Sequence, residues 1–554
     1  MKTILIFLLF PCFLYSQISF TSAEIGGGSL DDFARKVVKD TEGNLFVLGT
    51  FSGPATFGSE NFEGAGFVDC YLQKLNSFGE IIWTKAIGGP NTDASLCLAI
   101  DGNNDVWISG KFNGQIDLNP DAGEVILNSD PSNGIDCFLA KYSGITGAYV
   151  THKDISSGGV LEIRSIAFSD NGIILIGGTF QFTVDFDFSA STLNKTSFVN
   201  SYDGFVASYS SNFESLNWVN VLSSNNPALD YVNDVKILNN KVYLTGLVAG
   251  TMDIDPGIST VQINGATDAF LISYNLNNGS LNWGFKLGGN SLEIGNFISI
   301  TSNTIYLSGT LNSNNVDFNA GNQTNLLSAN GISSPPFIAK YDTNGNYNSA
   351  FLLDINTTGT YSISKIVEAE SGEVLVSGYF KGIIDIDPSV GITEINSINV
   401  NNSFFMWLNE NDSLLNHKTI SGTFENSIFD LAYNQGSIIA VGGFEGSCAP
   451  DQNEDTEINA LFPTNNEAFI FIYNPIVTTS QTTKKSEIKL YPNPVNSSSI
   501  LFYNEDLEFQ IISTTGKSAG SIMTNKKSEI LEKLDSGIYY LINSNKSLYL
   551  KLIK

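Results

Sequence analysis

Apolar and polar positions alternate one for one in short runs along most of this chain, and the runs come in pairs. SLCLAIDGNNDVWISG and FISITSNTIYLSG are two such pairs, each broken near its centre by asparagine or Gly-Asn. Alternation of period two puts every second side chain on one face of a strand, and centres of this kind close hairpins. Each pair therefore predicts two antiparallel strands. The second run of each pair ends on a glycine, namely Gly49, Gly110, Gly178, Gly246, Gly309, Gly378 and Gly443, so the pattern returns about every 66 residues. An irregular segment follows, then a third apolar run (FLAKY, FVASY, FLISY, FIAKY, FIFIY). In several repeats a fourth run carries tryptophan at one position, Trp83, Trp218 and Trp283, and ends in Gly-Gly or Ser-Ser. Helical periodicity is absent.

Seven units of four antiparallel strands predict an all-β fold, a seven-bladed β-propeller over residues 17–476. One such unit cannot cover both faces of its own sheet, whereas sheets stacked around an axis cover each other. The two ends of the repeat region favour a closed ring over an open solenoid. The seventh repeat stops after its third run, AFIFIYNP, and the chain begins with ISFTSAEIGGG, a fourth run with no first three. Ile18 to Gly28 is expected to pair beside Phe469 to Tyr473 and clasp the ring.

The repeats, with their turn-rich DFDPG-like centre, DxF start to the third run, tryptophan and Gly-Gly, resemble the propeller-type repeats of secreted and surface proteins of Gram-negative bacteria. That resemblance implies a propeller and no particular activity. Beyond a Thr, Ser and Lys-rich linker at 477–487, residues 488–554 differ in composition and carry no repeat. Short apolar runs between Pro, Asn, Ser and Gly turns predict a small Ig-like β-sandwich. Tyr491-Pro492-Asn493-Pro494 opens this tail, Thr515-Gly516-Lys517 marks a hairpin, Gly537-Ile538-Tyr539 follows, and Lys551-Leu552-Ile553-Lys554 closes it. In these motifs and their order the tail resembles the C-terminal sorting domain (type A) of the type IX, or Por, secretion system. The resemblance implies the type IX machinery as a partner, passage through the periplasm, and release or surface attachment after the tail is removed.

Charge sharpens the picture. Of 554 residues 42% are apolar and only 15% charged, and the formal net charge is −28. Residues 3–483 hold 17 Lys and Arg against 49 acids, while 484–554 hold ten lysines against seven acids. So acidic a body repels nucleic acid and anionic lipid, both of which need clustered cations. Residues 1–16 read as an export signal, Lys2 followed by an apolar run from Ile4 to Tyr15 that is too short to span a bilayer. No later segment is long and apolar enough to span one, so no transmembrane segment is expected after export. The four remaining cysteines, Cys70, Cys97, Cys137 and Cys448, could form two disulfides. However, Cys70 and Cys137 share a repeat position with Gly204, Ala269 and Ala468, which favours buried thiols.

Candidate chemistry lies mainly in recurrent acids. One set follows the central glycine: Asp117, Asn119 and Asp121; Asp185 and Asp187; Asp253 and Asp255; Asp317 and Asn319; Asp385 and Asp387. A second set, Asp32, Asp93, Glu162, Asp230, Glu293 and Glu425, stands where first strands begin, and both sets are expected around one mouth of the ring. Carboxylates two residues apart can reach a hard cation, which makes Ca²⁺ the candidate cofactor at Asp117, Asn119, Asp121, Asp253, Asp255, Asp385 and Asp387. The same residues also close turns by accepting backbone N–H bonds. Only two histidines exist, His152 and His417, and no nucleophile elbow, CxxC, HExxH or phosphate loop occurs. The expected function is therefore non-catalytic binding of an extracellular glycan or protein through the acidic face. The alternative is a polysaccharide-active enzyme using loops such as Asn128 to Asp136 or Asp451 to Asn466.

Overall fold

The computed structural model describes residues 18–475, except 130–134, 156–157, 356–358, 370–371, 452–455 and single positions at 200, 226, 302, 322, 390 and 435. In the tail it describes the strands Lys489–Tyr491, Ile500–Phe502, Glu508–Ser513, Ser518–Met523, Ile538–Asn543 and Tyr549–Ile553. The expected signal (1–16) and linker (477–487) lie outside the described residues.

Among the described residues of the repeat region there are seven large antiparallel sheets; in six of them four main strands of one repeat lie side by side in sequence order, short strands aside. The first strands are Phe33–Lys39, Ala94–Ile100, Leu161–Phe168, Tyr231–Leu238, Ile294–Thr301, Tyr361–Glu368 and Asn426–Asn434. Each packs against the first strand of the next sheet, and the seventh packs against the first. The apolar cores lie in the seams: one unites Phe46, Leu48 and Leu72 with Ile108 and Phe138 of the next sheet, another Trp107 and Leu139 with Ile163 and Phe205. The second and third strands make this layering possible: Leu45–Phe51, Asp69–Leu75, Ile174–Phe180 and Asp203–Tyr209 are buried along their whole length, so each sheet offers side chains to a neighbour on both faces.

The seventh sheet takes its fourth strand from the start of the described chain. Ile18–Gly28 lies hydrogen-bonded beside Asn466–Pro475, as the incomplete ends of the repeat region require. Phe20 meets Phe471 and Tyr473 edge-on, both at 5.8 Å between centroids. The other edge of this strand is also taken: Gly26, Gly27 and Gly28 pair with Phe57, Thr56 and Ala55 of a short strand from the first repeat. The clasp is gripped on both sides.

The recurrent glycine has a steric cause. All seven first strands carry a bulge near their start, for example between Ile163 and Ser165 or Val232 and Asp234. The bulge turns a carbonyl toward the second strand, and a Cβ on Gly178 or Gly246 would lie 1.8 Å from the oxygen of Glu162 or Tyr231. Only a residue without a side chain fits there. In the seventh repeat the position belongs to Gly442, which faces Ile428, and not to Gly443 as the sequence alignment has it.

The tail strands form a two-stranded pair and a four-stranded antiparallel sheet. Tyr491, Tyr539 and Lys551 lie on these strands, while Pro492, Asn493, Pro494, Gly516, Gly537 and Lys554 lie outside the described residues.

Candidate functional site

The acid turns are built alike in five repeats. One oxygen of the first aspartate accepts two backbone N–H bonds, from the residue two ahead and the residue eight ahead. For Asp117 these are Asn119 at 2.9 Å and Val125 at 2.9 Å. For Asp253 they are Asp255 at 3.1 Å and Val261 at 3.0 Å, and for Asp385 they are Asp387 at 3.0 Å and Thr393 at 2.8 Å. Asp185 and Asp317 repeat the pattern. Asn119, Asp255 and Asp387 each accept in turn from the residue two further on. Between the two polar residues sits a buried apolar one, such as Leu118, Phe186, Ile254 or Phe318, whose carbonyl accepts the hydroxyl of the tyrosine ending the third strand: Tyr142, Tyr209, Tyr274 or Tyr341. The turn thus anchors itself to its own sheet. Asp121 pairs with Lys85 at 2.6 Å.

This geometry bears on the calcium candidates. The inner oxygen of Asp117, Asp253 and Asp385 is already committed to backbone donors, and no three His, Cys, Asp or Glu side chains converge as a metal cluster among the described residues. Adding millimolar Ca²⁺ to chelated protein is expected to shift the melting temperature by less than about 1 °C, because an ion that does not bind the folded state cannot stabilise it. A larger rise, measured by scanning calorimetry, would restore these turns as cation sites.

The second set of acids is not displayed at the mouth. Asp32, Asp93, Asp230 and Glu293 are buried, and all but Asp93 tie two strand segments together. Asp32 accepts from Gly28 (2.6 Å), the end of the clasp strand, and from Ser52 (2.9 Å), beyond the second strand of its own sheet. Asp230 does the same with Ser224 and Ala249, and Glu293 with Gly289 and Ser313. Asp93 accepts from Gly89. The terminal pairs Gly88-Gly89, Ser223-Ser224 and Gly288-Gly289 of fourth strands are explained by this stitch. Two members depart from the pattern. Glu162 is held by Lys111 and Arg164, which keep its carboxyl below the usual range despite burial. Glu425 is exposed, and the buried Asn426 beside it bonds Ser403 and Asn402 instead.

A third set, which sequence reading did not single out, faces the stitches. Asp69, Asp203, Asp268 and Glu467 begin third strands and are buried against the acid of the following sheet. Asp69 Oδ1, Asp93 Oδ1, Asp268 Oδ1 and Glu467 Oε2 are buried oxygens with no hydrogen-bond partner. A Cβ on Gly88 would lie 2.0 Å from Asp69 Oδ1, and one on Gly288 2.3 Å from Asp268 Oδ1, so the first glycine of the pair makes room for the second carboxylate. Burial pushes the carboxyls of Asp32 and Asp93 up to about 7, with Glu467 adding to the first and Asp69 to the second. Asp69, Asp203 and Asp230 are raised for the same reason. The signal lay in VDCYLQKL and TDAFLISY, where an acid immediately precedes the small residue of the third strand.

The remaining candidates are structural. Cys70, Cys97, Cys137 and Cys448 are buried free thiols. Trp83 and Trp218 donate their indole N–H groups to Ile145 and Leu276 of the next repeat, and both rings pack on a left-handed glycine, Gly147 or Gly279. They serve the seams. His152 bonds Tyr149, and burial lowers the pKa of His417, so each sits in an outer strand without a reactive partner in sight. A cleft of about 610 Å³ opens on the opposite side from the acid turns, among the hairpins that join first to second strands.

Fold and site together define an all-β repeat protein whose recurrent acids hold its sheets together. Its last residues place it further: 489–554 match the family described as secretion system C-terminal sorting domain. The chain is thus a substrate of the type IX secretion system, released or attached at the outer cell surface. A WD repeat-containing protein of Acanthamoeba polyphaga mimivirus, itself uncharacterised, is 26% identical over 191 residues, or 32% of this chain and 14% of that one. The regulatory protein FlaEY of Caulobacter vibrioides is 26% identical over 149 residues, 26% of this chain and 15% of that one. The chain therefore spans about a seventh of the length of these curated relatives. Among solved structures, quinohemoprotein alcohol dehydrogenase from Comamonas testosteroni aligns with a TM-score of 0.40 at 9% identity, over 86% of this chain and 78% of that one. The Dos1 propeller aligns with a TM-score of 0.34 at 9% identity, over 81% and 94%. No helix of the described residues is long and apolar enough to cross a membrane.

Proposed function

We infer that this is an exported, non-catalytic binding protein: a seven-bladed β-propeller (17–476) behind a cleaved signal (1–16), joined by a linker (477–487) to an Ig-like sorting sandwich (488–554). The observation that carries the binding role is a set of exposed apolar side chains on the acid-turn face. Leu30, Leu229, Leu292 and Phe424 stand one or two residues before a first-strand acid position, and Phe67 and Leu461 stand before third strands. Phe67 is 74% and Leu461 65% exposed. Loops of the two kinds are joined across the seams, the N–H of Phe67 donating to the carbonyl of Asn91 and the side chain of Asn465 to that of Ser29. Soluble monomers rarely leave such groups together in water, and apolar positions repeated around one face suit a protein partner. The acids exposed on the same face, Asp31, Asp253 and Glu425, favour a basic one. Crosslinking on intact producing cells tests this. A protein crosslinked to the wild type should fall at least about tenfold in the Leu229→Ser/Leu292→Ser/Phe424→Ser variant at unchanged melting temperature. Equal recovery from both would overturn the reading.

A further inference from the structure

We propose that the cleft on the hairpin face is a second, independent binding site, and that its ligand is a neutral oligosaccharide. Three successive hairpins build it, Lys39 to Thr41, Ile100 to Asn104 and Phe168 to Gly172, with Ser211 and Asn212 of the third sheet at its outer wall. Its volume, about 610 Å³, is in the range of small-molecule sites.

Charge selects the ligand class. Three carboxylates line the cleft; Asp170 is exposed at the rim, and the other two, Asp40 and Asp101, are matched and occupied. Asp101 pairs with Lys141 at 2.8 Å and accepts the N–H of Asn103, while Asp40 lies 3.9 Å from Lys74 and accepts from Glu42 and Asn44. Burial opposes the charge of Lys141, but Asp101 and Asp105 outweigh it and hold the ammonium above its usual range. Lys39 is spent on the carbonyl of Tyr433 and the amide of Asn434. Among the described residues Asp170 is thus the one lining carboxylate without an ionic partner, which disfavours an anion and leaves a carboxylate free to accept from hydroxyl groups.

The rim supplies what hydroxyl groups need. Asn103, Asn171 and Asn212 are exposed amides, each able to donate and to accept, and Ser211 adds a hydroxyl. Ile100 and Phe168 are half-buried and give the apolar surface that the C–H face of a sugar ring covers. Paired donors and acceptors beside a small apolar patch, with a single acceptor carboxylate at the rim, match a neutral polyhydroxylated chain.

Titration calorimetry of the full chain tests this with maltohexaose, cellohexaose, xylohexaose and mannohexaose, and with oligogalacturonate as the anionic control. At least one neutral hexaose should bind, oligogalacturonate should bind at least about tenfold more weakly, and Asn103→Ala/Asn171→Ala should weaken the neutral ligand about tenfold or more. Both substitutions are at exposed positions, so an unchanged melting temperature shows that the fold is intact. The Leu229→Ser/Leu292→Ser/Phe424→Ser variant should bind the hexaose as the wild type does, which separates this site from the acid-turn face. Absence of binding by all four hexaoses, preference for the anion, or full affinity in the asparagine variant would each overturn the proposal.

Discussion

Deleting residues 18–25 is expected to lower the melting temperature of the whole ring by about 10 °C, in a single cooperative transition. The deletion strips the outer edge of Asn466–Pro475 and removes Phe20 from Phe471 and Tyr473, leaving only Gly26 to Gly28 paired with the short strand Ala55–Phe57. Each lost ladder bond is worth about 1 kcal/mol net, and a half-buried aromatic adds roughly as much again. A total of about 5 kcal/mol is a large part of the stability of an ordinary domain and corresponds to a shift of this size. Because the seams share their sheets, loss at one seam propagates around the circle. A separate low-temperature transition with the main one unmoved would show that the clasp is an ornament on six self-sufficient sheets.

The second large effect is a fall in stability as the solution goes from mildly acidic to mildly alkaline. Asp32 and Asp93 have carboxyls raised to about 7 in the folded protein, against 3.8 when unperturbed. The folded state therefore holds protons that the unfolded state has released, and stability is lost as pH climbs from about 4 to about 7, levelling off above. Their facing groups, Glu467 and Asp31 for the first and Asp69 for the second, are acids as well and offer no compensating cation. Groups shifted the other way, such as Glu162 and Asp342, lose their contribution only below their ordinary carboxylate range, so the two windows do not overlap. Melting temperature is expected to be highest near about pH 4 and several degrees lower at about pH 8. Asp93→Asn is the diagnostic change. Its amide oxygen keeps the Gly89 N–H bond and its amide nitrogen can donate to Asp69. It should raise the melting temperature at about pH 8 and leave it nearly unchanged at about pH 4. A variant that loses stability equally at both values would show that Asp93 is ionised in the native seam.

Strand order and the meeting of the two ends were legible in the sequence because they rest on local signals. Period-two alternation marks every strand, and the seventh repeat advertises what it lacks. The acids were legible as a pattern but not as a place. Asp32, Asp93, Asp230 and Glu293 stand in turns, where alternation gives out and no longer says which way a side chain points. Their expected display at the mouth gives way to burial, because the Gly-Gly ends and the third-strand acids enclose them. Asp-x-Asp favoured turn closure over calcium without deciding between them; the distances to Val125, Val261 and Thr393 show what Asp117, Asp253 and Asp385 do with their inner oxygen. The hairpin-face cleft left no trace in the sequence. The three hairpins that build it share Asp, Asn and Gly turns with the other repeats, and nothing in those turns says which neighbours enclose a cleft.

The doubly gripped clasp strand has a kinetic consequence. Contacts such as Asn465 with Ser29 join residues 436 positions apart, among the most distant partners the chain possesses. Closing so long a loop demands that entropy be surrendered before any contact rewards it, and topologies of this kind assemble slowly. A chain in transit, or one cut short before Asn466, is left as an unzipped arc with a bare β-edge at each tip. Such an arc is a ready substrate for proteases and for aggregation, so completion of the last repeat is itself the checkpoint that separates a durable product from a discarded one.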